Sequence, residues 1–406
     1  MKIIYKIILL YPLLLTSSSL TFSQWIISEN LNGGQVNHLL STEKYIFAAT
    51  SSNGIFRSDD NGATWIQKNT GLQNFLSVQT MSAWNNYVYA GTYGGGFFYS
   101  TNFGDLWIQS NNGLTQTIVK ALMSDSTGIY AGLIFAGIYR STNNGLSWSR
   151  FALGEGDLLY SFSFRSENFY IGLEGGIYRS TNSGVNWSVF VSGLSNLSVR
   201  SILQSDGKAF CGTYGGGVYY SELGESQWHP MNTGLPDPEV RNLFLTGLNL
   251  FAAIEGNGVF LFNQTSESWT GINQGLTDTN ISSMTVKENY IYTGSSTGKI
   301  WKRPLTEIIT GINQNFSEVY EFRLYQNFPN PFNPTTEISF YIPERSFVTL
   351  KVYDITGNEV SEIFTGILPE GKHIKYWNGE NHSSGVYFYT LQSGSFSQTK
   401  KLALIK

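Results

Sequence analysis

The sequence predicts an all-β protein: a seven-bladed β-propeller closed by an N-terminal strand, followed by a small Ig-like β-sandwich. Three observations carry this expectation. The chain is rich in aromatics (15%), poor in charge (13%) and punctuated by 43 Gly against 10 Pro, the profile of strands joined by Gly and Asn turns. A motif of roughly 41 residues recurs through its first three quarters. After residue 305 that grammar stops and a different alternating pattern begins. At 406 residues the chain also exceeds the ~100–200 residues of a usual domain.

Composition excludes several classes. With 25 Lys+Arg against 29 Asp+Glu the net charge is -4, which denies the basic face that nucleic-acid binding needs. One cysteine, Cys211, rules out an intramolecular disulfide framework and a Cys-based zinc site. Four histidines leave little material for His-dependent catalysis; no metal and no cofactor are expected.

Residues 1–23 read as a secretory signal peptide. Lys2 and Lys6 give a positive start, Ile7 to Leu15 an apolar run, and Thr21-Phe22-Ser23 a small-residue cleavage site before Gln24 or Trp25. The run is too short for a membrane anchor, which takes roughly 20 apolar residues.

Residues 24–305 hold the repeat. Trp65, Trp107, Trp148, Trp187, Trp228 and Trp269 are spaced by 42, 41, 39, 41 and 41 residues. Before each lie a Val-x-x-Leu-like strand, an aromatic strand ending Ala-Gly-Thr, a Gly-Gly-x-Tyr-Arg-Ser strand and a polar turn. Seven copies of the second strand are present, from Tyr45-Ile-Phe-Ala-Ala-Thr50 to Tyr290-Ile-Tyr-Thr-Gly294. Four short strands per ~40 residues describe one propeller blade. The last copy stops after its third strand, whereas Trp25-Ile-Ile-Ser-Glu29 precedes the first copy and matches Trp65-Ile and Trp107-Ile. The ends are complementary, so the expectation is a closed ring of seven units rather than an open solenoid with exposed edges.

Four turns fit Ser-x-(Asp/Asn)-x-Gly-x-x-Trp. They are carried by Ser58, Asp60, Gly62 and Trp65; Ser100, Asn102, Gly104 and Trp107; Ser141, Asn143, Gly145 and Trp148; and Ser180, Asn182, Gly184 and Trp187. They resemble the Asp-box (BNR) repeat of sialidases, sortilin-type receptors, xyloglucanases and photosystem II assembly factors. Three copies carry Asn where the first has Asp60. A catalytic or metal-binding carboxylate would not exchange with an amide so freely, so these residues are expected to build turns, with Trp burying its ring beside the blade.

The turns between second and third strands share a face with the blade connections. Tyr93, Phe135, Glu174, Tyr214 and Glu255 are the expected ligand-binding lining there, with Glu155, Asp157, Asp237 and Asp278 on the connections. Gly94-Gly95-Gly96 and Gly215-Gly216-Gly217 read as tight hairpins. A sialidase needs three arginines converging on a carboxylate, whereas Arg57, Arg140 and Arg179 repeat one slot around the ring on the opposite face. No catalytic residue is assigned. Glu174, Asp237, Glu255 and Asp278 are the acids that a xyloglucanase-like hydrolase would have to use.

Residues 306–321 read as a linker and 322–406 as the sandwich. Its strands are read at Glu337–Ile342, Val348–Tyr353, His373–Trp377 and Val386–Leu391. The segment Asn330-Pro331-Phe332-Asn333-Pro334, the turn through Asp354 and Gly357, and Gly385 before Val-Tyr-Phe-Tyr resemble the type A sorting domain of the type IX secretion system. That resemblance implies export through the periplasm, recognition by the outer-membrane machinery and its sortase-like peptidase, and a secreted or surface-attached product with no transmembrane segment in the mature chain. The propeller is then cargo: a binding or interaction module for a glycan or a surface protein, with a glycoside hydrolase and a chaperone-like assembly factor as the competing readings.

Overall fold

The computed structural model describes residues 24–31, 34–153, 156–205, 207–312, 323–327, 329–342, 346–368, 371–394 and 396–406. The expected signal peptide, Glu155 and most of the expected linker lie outside them. The chain divides into two compact units, Met1–Ile312 and Asn313–Lys406.

In the first unit the described residues form seven four-stranded antiparallel sheets, six of them from strands consecutive in the chain. The first strands of sheets 1 to 7 are Val36–Ser41, Val78–Trp84, Val119–Asp125, Leu159–Arg165, Val199–Gln204, Val240–Thr246 and Ile281–Lys287. Each touches the first strand of the next sheet, and that of sheet 7 touches that of sheet 1. They line a ring with a central channel. Sheet 7 consists of Ile281–Lys287, Tyr290–Ser295, Lys299–Pro304 and, as its outermost member, Ile26–Asn30. Ile27 stands opposite Trp301 and Asn30 opposite Lys299, so the start of the ring pairs with its end.

Packing between sheets explains the Ala-Gly-Thr signature. A Cβ on Gly91 would fall 2.6 Å from Val119 Cγ1, and one on Gly172 would fall 2.8 Å from Val199 Cγ1. The Val, Leu or Ile that opens each sheet packs on the preceding sheet where this small residue leaves room. The equivalent slots of sheets 1 and 6 hold Ala49 and Ala253, both fully buried.

The repeated tryptophans fasten sheet to sheet. Trp107 donates its backbone N–H to Thr70 O (2.8 Å) and its indole N–H to Lys68 O (2.9 Å), both on the chain leaving sheet 1. Trp148 makes the same pair of bonds to Asn112 and Ser110, Trp228 to Ser192 and Phe190, and Trp269 to Thr233 and Met231. Trp25 makes them to Gln274 (2.8 Å) and Ile272 (2.6 Å). It therefore serves sheet 7 as the others serve theirs.

Two tryptophans depart from the expectation that every such ring is buried. Trp65 and Trp187 are only partly covered. Trp65 reaches Ser28 Oγ at 3.4 Å, and Trp187 bonds Gly184 O within its own turn. Trp65 thus meets sheet 7 only at this long distance and Trp187 turns its indole N–H back on its own turn, and both rings stay partly open. The described start of the expected linker lies in a helix, Leu305–Ile312, with Leu305 and Ile308 packed into the core that contains Trp25 and Trp301. Among the described residues no helix is long and apolar enough to cross a membrane.

The second unit has a three-stranded sheet (Arg323–Leu324, Thr335–Ile342, Gly371–Asn378) and a four-stranded one (Glu359–Leu368, Ser346–Tyr353, Gly385–Ser393, Phe396–Leu404). Both contribute to one apolar core that includes Ile338, Phe340, Val348, Leu350, Trp377 and Tyr389. Alternation is clean on Thr335–Ile342, where every second residue is buried.

Trp107→Ala removes a buried ring and its indole bond to Lys68 O while keeping the backbone bond to Thr70 O, so it should destabilise the ring by about 3–5 kcal/mol. Trp65→Ala should cost distinctly less, and chemical denaturation of the two variants side by side checks the order. Deleting Trp25 to Glu29 exposes the Lys299–Pro304 edge and should make the protein aggregate. Unchanged melting and light scattering in that deletion would refute the closure role.

Candidate functional site

The polar turns between third and fourth strands share one geometry whether they carry Asp or Asn. Ser58 Oγ donates to Asp60 Oδ1 (2.8 Å), and Ser100, Ser141 and Ser180 donate to Asn102, Asn143 and Asn182 at 2.8–2.9 Å. The same Oδ1 accepts the backbone N–H four residues on, from Thr64, Leu106, Ser147 and Asn186 at 2.8–3.0 Å. Each serine oxygen in turn accepts the N–H of Gly62, Gly104, Gly145 or Gly184. An amide oxygen does all that the carboxylate oxygen does, so the motif makes turns rather than chemistry. In the Asp copy, Thr64 hydrogen bonds pull the carboxyl down to about 2. Arg57 and Arg179 run from this face to neighbouring turns, bonding Phe103 O (2.6 Å) and Glu225 O (2.7 Å); Arg140 bonds Thr127 O within its own sheet.

The opposite face holds the channel mouth, and its construction is regular. In all seven sheets the first strand carries a β-bulge directly after its opening apolar residue. A bulge inserts an unpaired residue and re-aims its side chain. In sheets 1 to 4 the extra residues are Asn37, Gln79, Lys120 and Tyr160; in sheets 5 to 7 they are Arg200, Arg241 and Ser282. All seven line one cavity of about 610 Å³. Three of the seven are cationic.

Of the residues expected to line this face, only Tyr214 borders the cavity. Tyr93 and Phe135 stand on the turns, 58% and 49% exposed. Glu174 and Glu255 act as partners of the channel arginines. Arg241 forms an ion pair with Glu255, donating through Nη2 at 2.9 Å and meeting Oε2 through Nε. Glu174 Oε2 accepts Tyr160 Oη (2.6 Å) and Ser198 Oγ (3.0 Å) and lies 3.4 Å from Arg200 Nη2. The Tyr160 bond, with Ser198 and Arg200, holds Glu174 below the usual carboxylate range. The Arg200 guanidinium sits 3.9 Å from the Tyr160 ring centre and 5.1 Å from that of Tyr214.

The remaining acids serve the connections. Asp237 accepts Glu239 N–H (2.8 Å), and Asp278 accepts Asn280 N–H (3.0 Å) and Thr297 Oγ (2.5 Å). Asp157 lends its carbonyl to Phe135 N–H (3.1 Å). The Gly94–Gly96 and Gly215–Gly217 turns are hairpins: Thr92 and Thr213 hydroxyls bond Gly96 O and Gly217 O at 3.0 Å. Gly96 has φ +78, and a Cβ there would strike the Asn111 side chain. Cys211 is fully buried, and burial pushes its thiol well up. Among the described residues no three His, Cys, Asp or Glu gather in a way that could hold a metal ion.

Sequence reading missed Lys120, Arg200 and Arg241. Strict alternation after Val119, Val199 and Val240 turns the next residue away from the core, and only the bulge sends it to the channel. A visible signal exists: across the seven aligned copies that slot is never aliphatic.

In the second unit, the segment Asn330-Pro331-Phe332-Asn333-Pro334 is sewn to the last strand. Ala403 N–H donates to Asn330 Oδ1 (2.8 Å), and Phe332 exchanges backbone bonds with Ala403 and Ile405, both at 3.0 Å. The Phe332 ring is buried near Trp377. Asp354 Oδ1 caps the turn by accepting Thr356 N–H (2.8 Å) and Asn358 N–H (3.0 Å), with Gly357 at φ +86. Gly385 opens the strand that pairs with Phe396–Leu404.

Residues 326–406 match the family of secretion system C-terminal sorting domains. No curated protein matches the chain. Solved structures resemble it in fold. PorZ, an essential surface component of the type IX secretion system of Porphyromonas gingivalis, has TM-score 0.56 and 16% identity over 92% of this chain and 60% of its own. The chain thus spans about 60% of PorZ. YCF48 from Cyanidioschyzon merolae has TM-score 0.59 and 11% identity over 70% and 99%. The WD40 β-propeller domain of Doa1 has 0.57 and 14% over 68% and 96%. The fold of the first unit is that of a β-propeller, and the sorting tail makes this a secreted or outer cell-surface protein.

Ser58→Ala leaves the buried Gly62 N–H unpaired and should destabilise by about 1–3 kcal/mol. Asp60→Asn should be nearly neutral at pH 7, as the three Asn copies imply. The Asp60 carboxyl titrates lower folded than its ordinary 3.8, so its small contribution is complete above that value and is lost as pH falls toward 2. Asp60→Asn should remove that part of the acid limb in a pH series of melting curves.

Proposed function

We propose that the protein is exported cargo of the type IX system: a seven-bladed, Asp-box β-propeller that binds a glycan or a surface protein at its channel mouth, delivered by an Ig-like sorting domain. The observation that carries this reading is the ring of bulges. Each of seven sheets brings its bulge residue, among others, to the same cavity, and six of these seven are charged or carry an amide or hydroxyl other than a phenol. A concave site with convergent polar groups suits recognition.

The same geometry weighs against a glycoside hydrolase. Such an enzyme needs an acid with a raised pKa facing a second carboxylate. Glu174 and Asp278 are instead held low by their hydrogen-bond partners, and Glu255 is spent on Arg241. The mature full-length chain on a polysaccharide and surface-protein array, assayed for both retention and new reducing ends, tests the reading. Retention without cleavage, lost on Arg200→Ala, is expected. Release of reducing ends would replace binding by hydrolysis.

A further inference from the structure

We infer that the channel mouth takes an anionic polysaccharide, its acid groups held by Lys120, Arg200 and Arg241. This deepens the binding reading and rests on it. The three cations come from sheets 3, 5 and 6 and border one cavity, in a protein whose net charge is -4. Positive charge is therefore concentrated where a concave, low-dielectric wall focuses it.

The local balance leaves a surplus. Arg241 is neutralised by Glu255, and Arg200 is shared with Glu174 at the longer distance of 3.4 Å. Lys120 has no carboxylate partner among the described residues; its ammonium meets only the Gln79 amide oxygen at 3.3 Å. Arg200 Nε is buried with no hydrogen-bond partner among them. Burial, and then repulsion from Arg200 and Arg241, lower the Lys120 pKa. The three cations therefore share a space that an incoming anion would relieve.

The surroundings favour a sugar polymer over an acidic peptide. Asn37, Gln79 and Ser282 line the same cavity. Asn37 Nδ2 and Ser282 Oγ donate to backbone carbonyls and Gln79 Oε1 accepts from Lys120, which leaves the Asn37 amide oxygen, a Gln79 amide N–H and the Ser282 oxygen lone pairs for sugar hydroxyls. Exposed Tyr93 and Phe135 offer flat ring faces on turns at this side of the ring, against which pyranose rings can lie.

The test uses the mature full-length protein and affinity electrophoresis in gels containing polygalacturonate, its fully methyl-esterified form, chondroitin sulfate or poly-glutamate. Retardation by polygalacturonate or chondroitin sulfate should exceed that by the neutral ester at least tenfold in apparent Kd and should weaken with added NaCl. Lys120→Gln should cost about tenfold with an unchanged melting temperature. Because Arg200 also orders Glu174, Arg200→Lys serves as the second variant; it keeps the charge and should retain most of the binding. Equal affinity for the methyl ester, or an undiminished Lys120→Gln, would overturn the charge assignment while leaving a channel-mouth binding module in place. Equal retention by poly-glutamate would replace the sugar by an acidic peptide. Retardation by none of the four polymers would overturn the inference, while the array described above still decides the binding reading by itself.

Discussion

The ring depends on one repeated constraint: a tryptophan that belongs to one sheet must bond the chain leaving the sheet before it. Five tryptophans, Trp25 among them, donate both backbone and indole N–H groups to that neighbouring chain. One backbone donor and one indole donor on the same residue fix the distance and the tilt between sheets together. Burying an indole without a partner for its N–H would be costly, and each of these five buried rings has one. Trp65 and Trp187 mark the contrast: Trp65 reaches the preceding sheet at 3.4 Å through Ser28 Oγ, Trp187 bonds within its own turn, and both stay partly open.

On the inner side, the same spacing is set by the glycine or alanine of each second strand and the valine-like residue opening the next sheet. This close contact pins the start of every first strand, and the bulge follows immediately after it. The packing residue and the channel-lining residue are thereby adjacent in the chain. The apolar residue holds the ring together, and its successor is freed from the ladder to face the channel. A side chain in that slot can change without disturbing a core contact, so the ring can keep its scaffold while its mouth varies from sheet to sheet.

The two units divide the labour. The second unit holds its Asn-Pro-Phe-Asn-Pro segment through backbone exchange with the final strand and a buried Phe332. Its seven strands are sufficient for one core of their own. Its matched family accounts for where the protein goes.

Much of this molecule is readable along the chain because its forces act at short or fixed separation. The all-β class follows from aromatic, Gly-punctuated alternation, and the turn role of the Ser-x-(Asp/Asn)-x-Gly motif from the exchange of Asp60 for Asn102, Asn143 and Asn182. The sorting tail follows from Asn330 to Pro334, Asp354, Gly357 and Gly385. Each depends on neighbours in the sequence or on a repeat of constant period. Tertiary structure alone decided which side chains share the channel. Lys120, Arg200 and Arg241 lie far apart in the chain and occupy a slot that simple alternation turns away from the core. The bulge, imposed where Val119, Val199 and Val240 pack on the preceding sheet, rotates them inward, and closure of the ring brings them to one cavity. By the same token Glu174 and Glu255, read in the sequence as candidate ligand-face lining and as acids open to a hydrolase, are partners of the arginines that only folding set beside them.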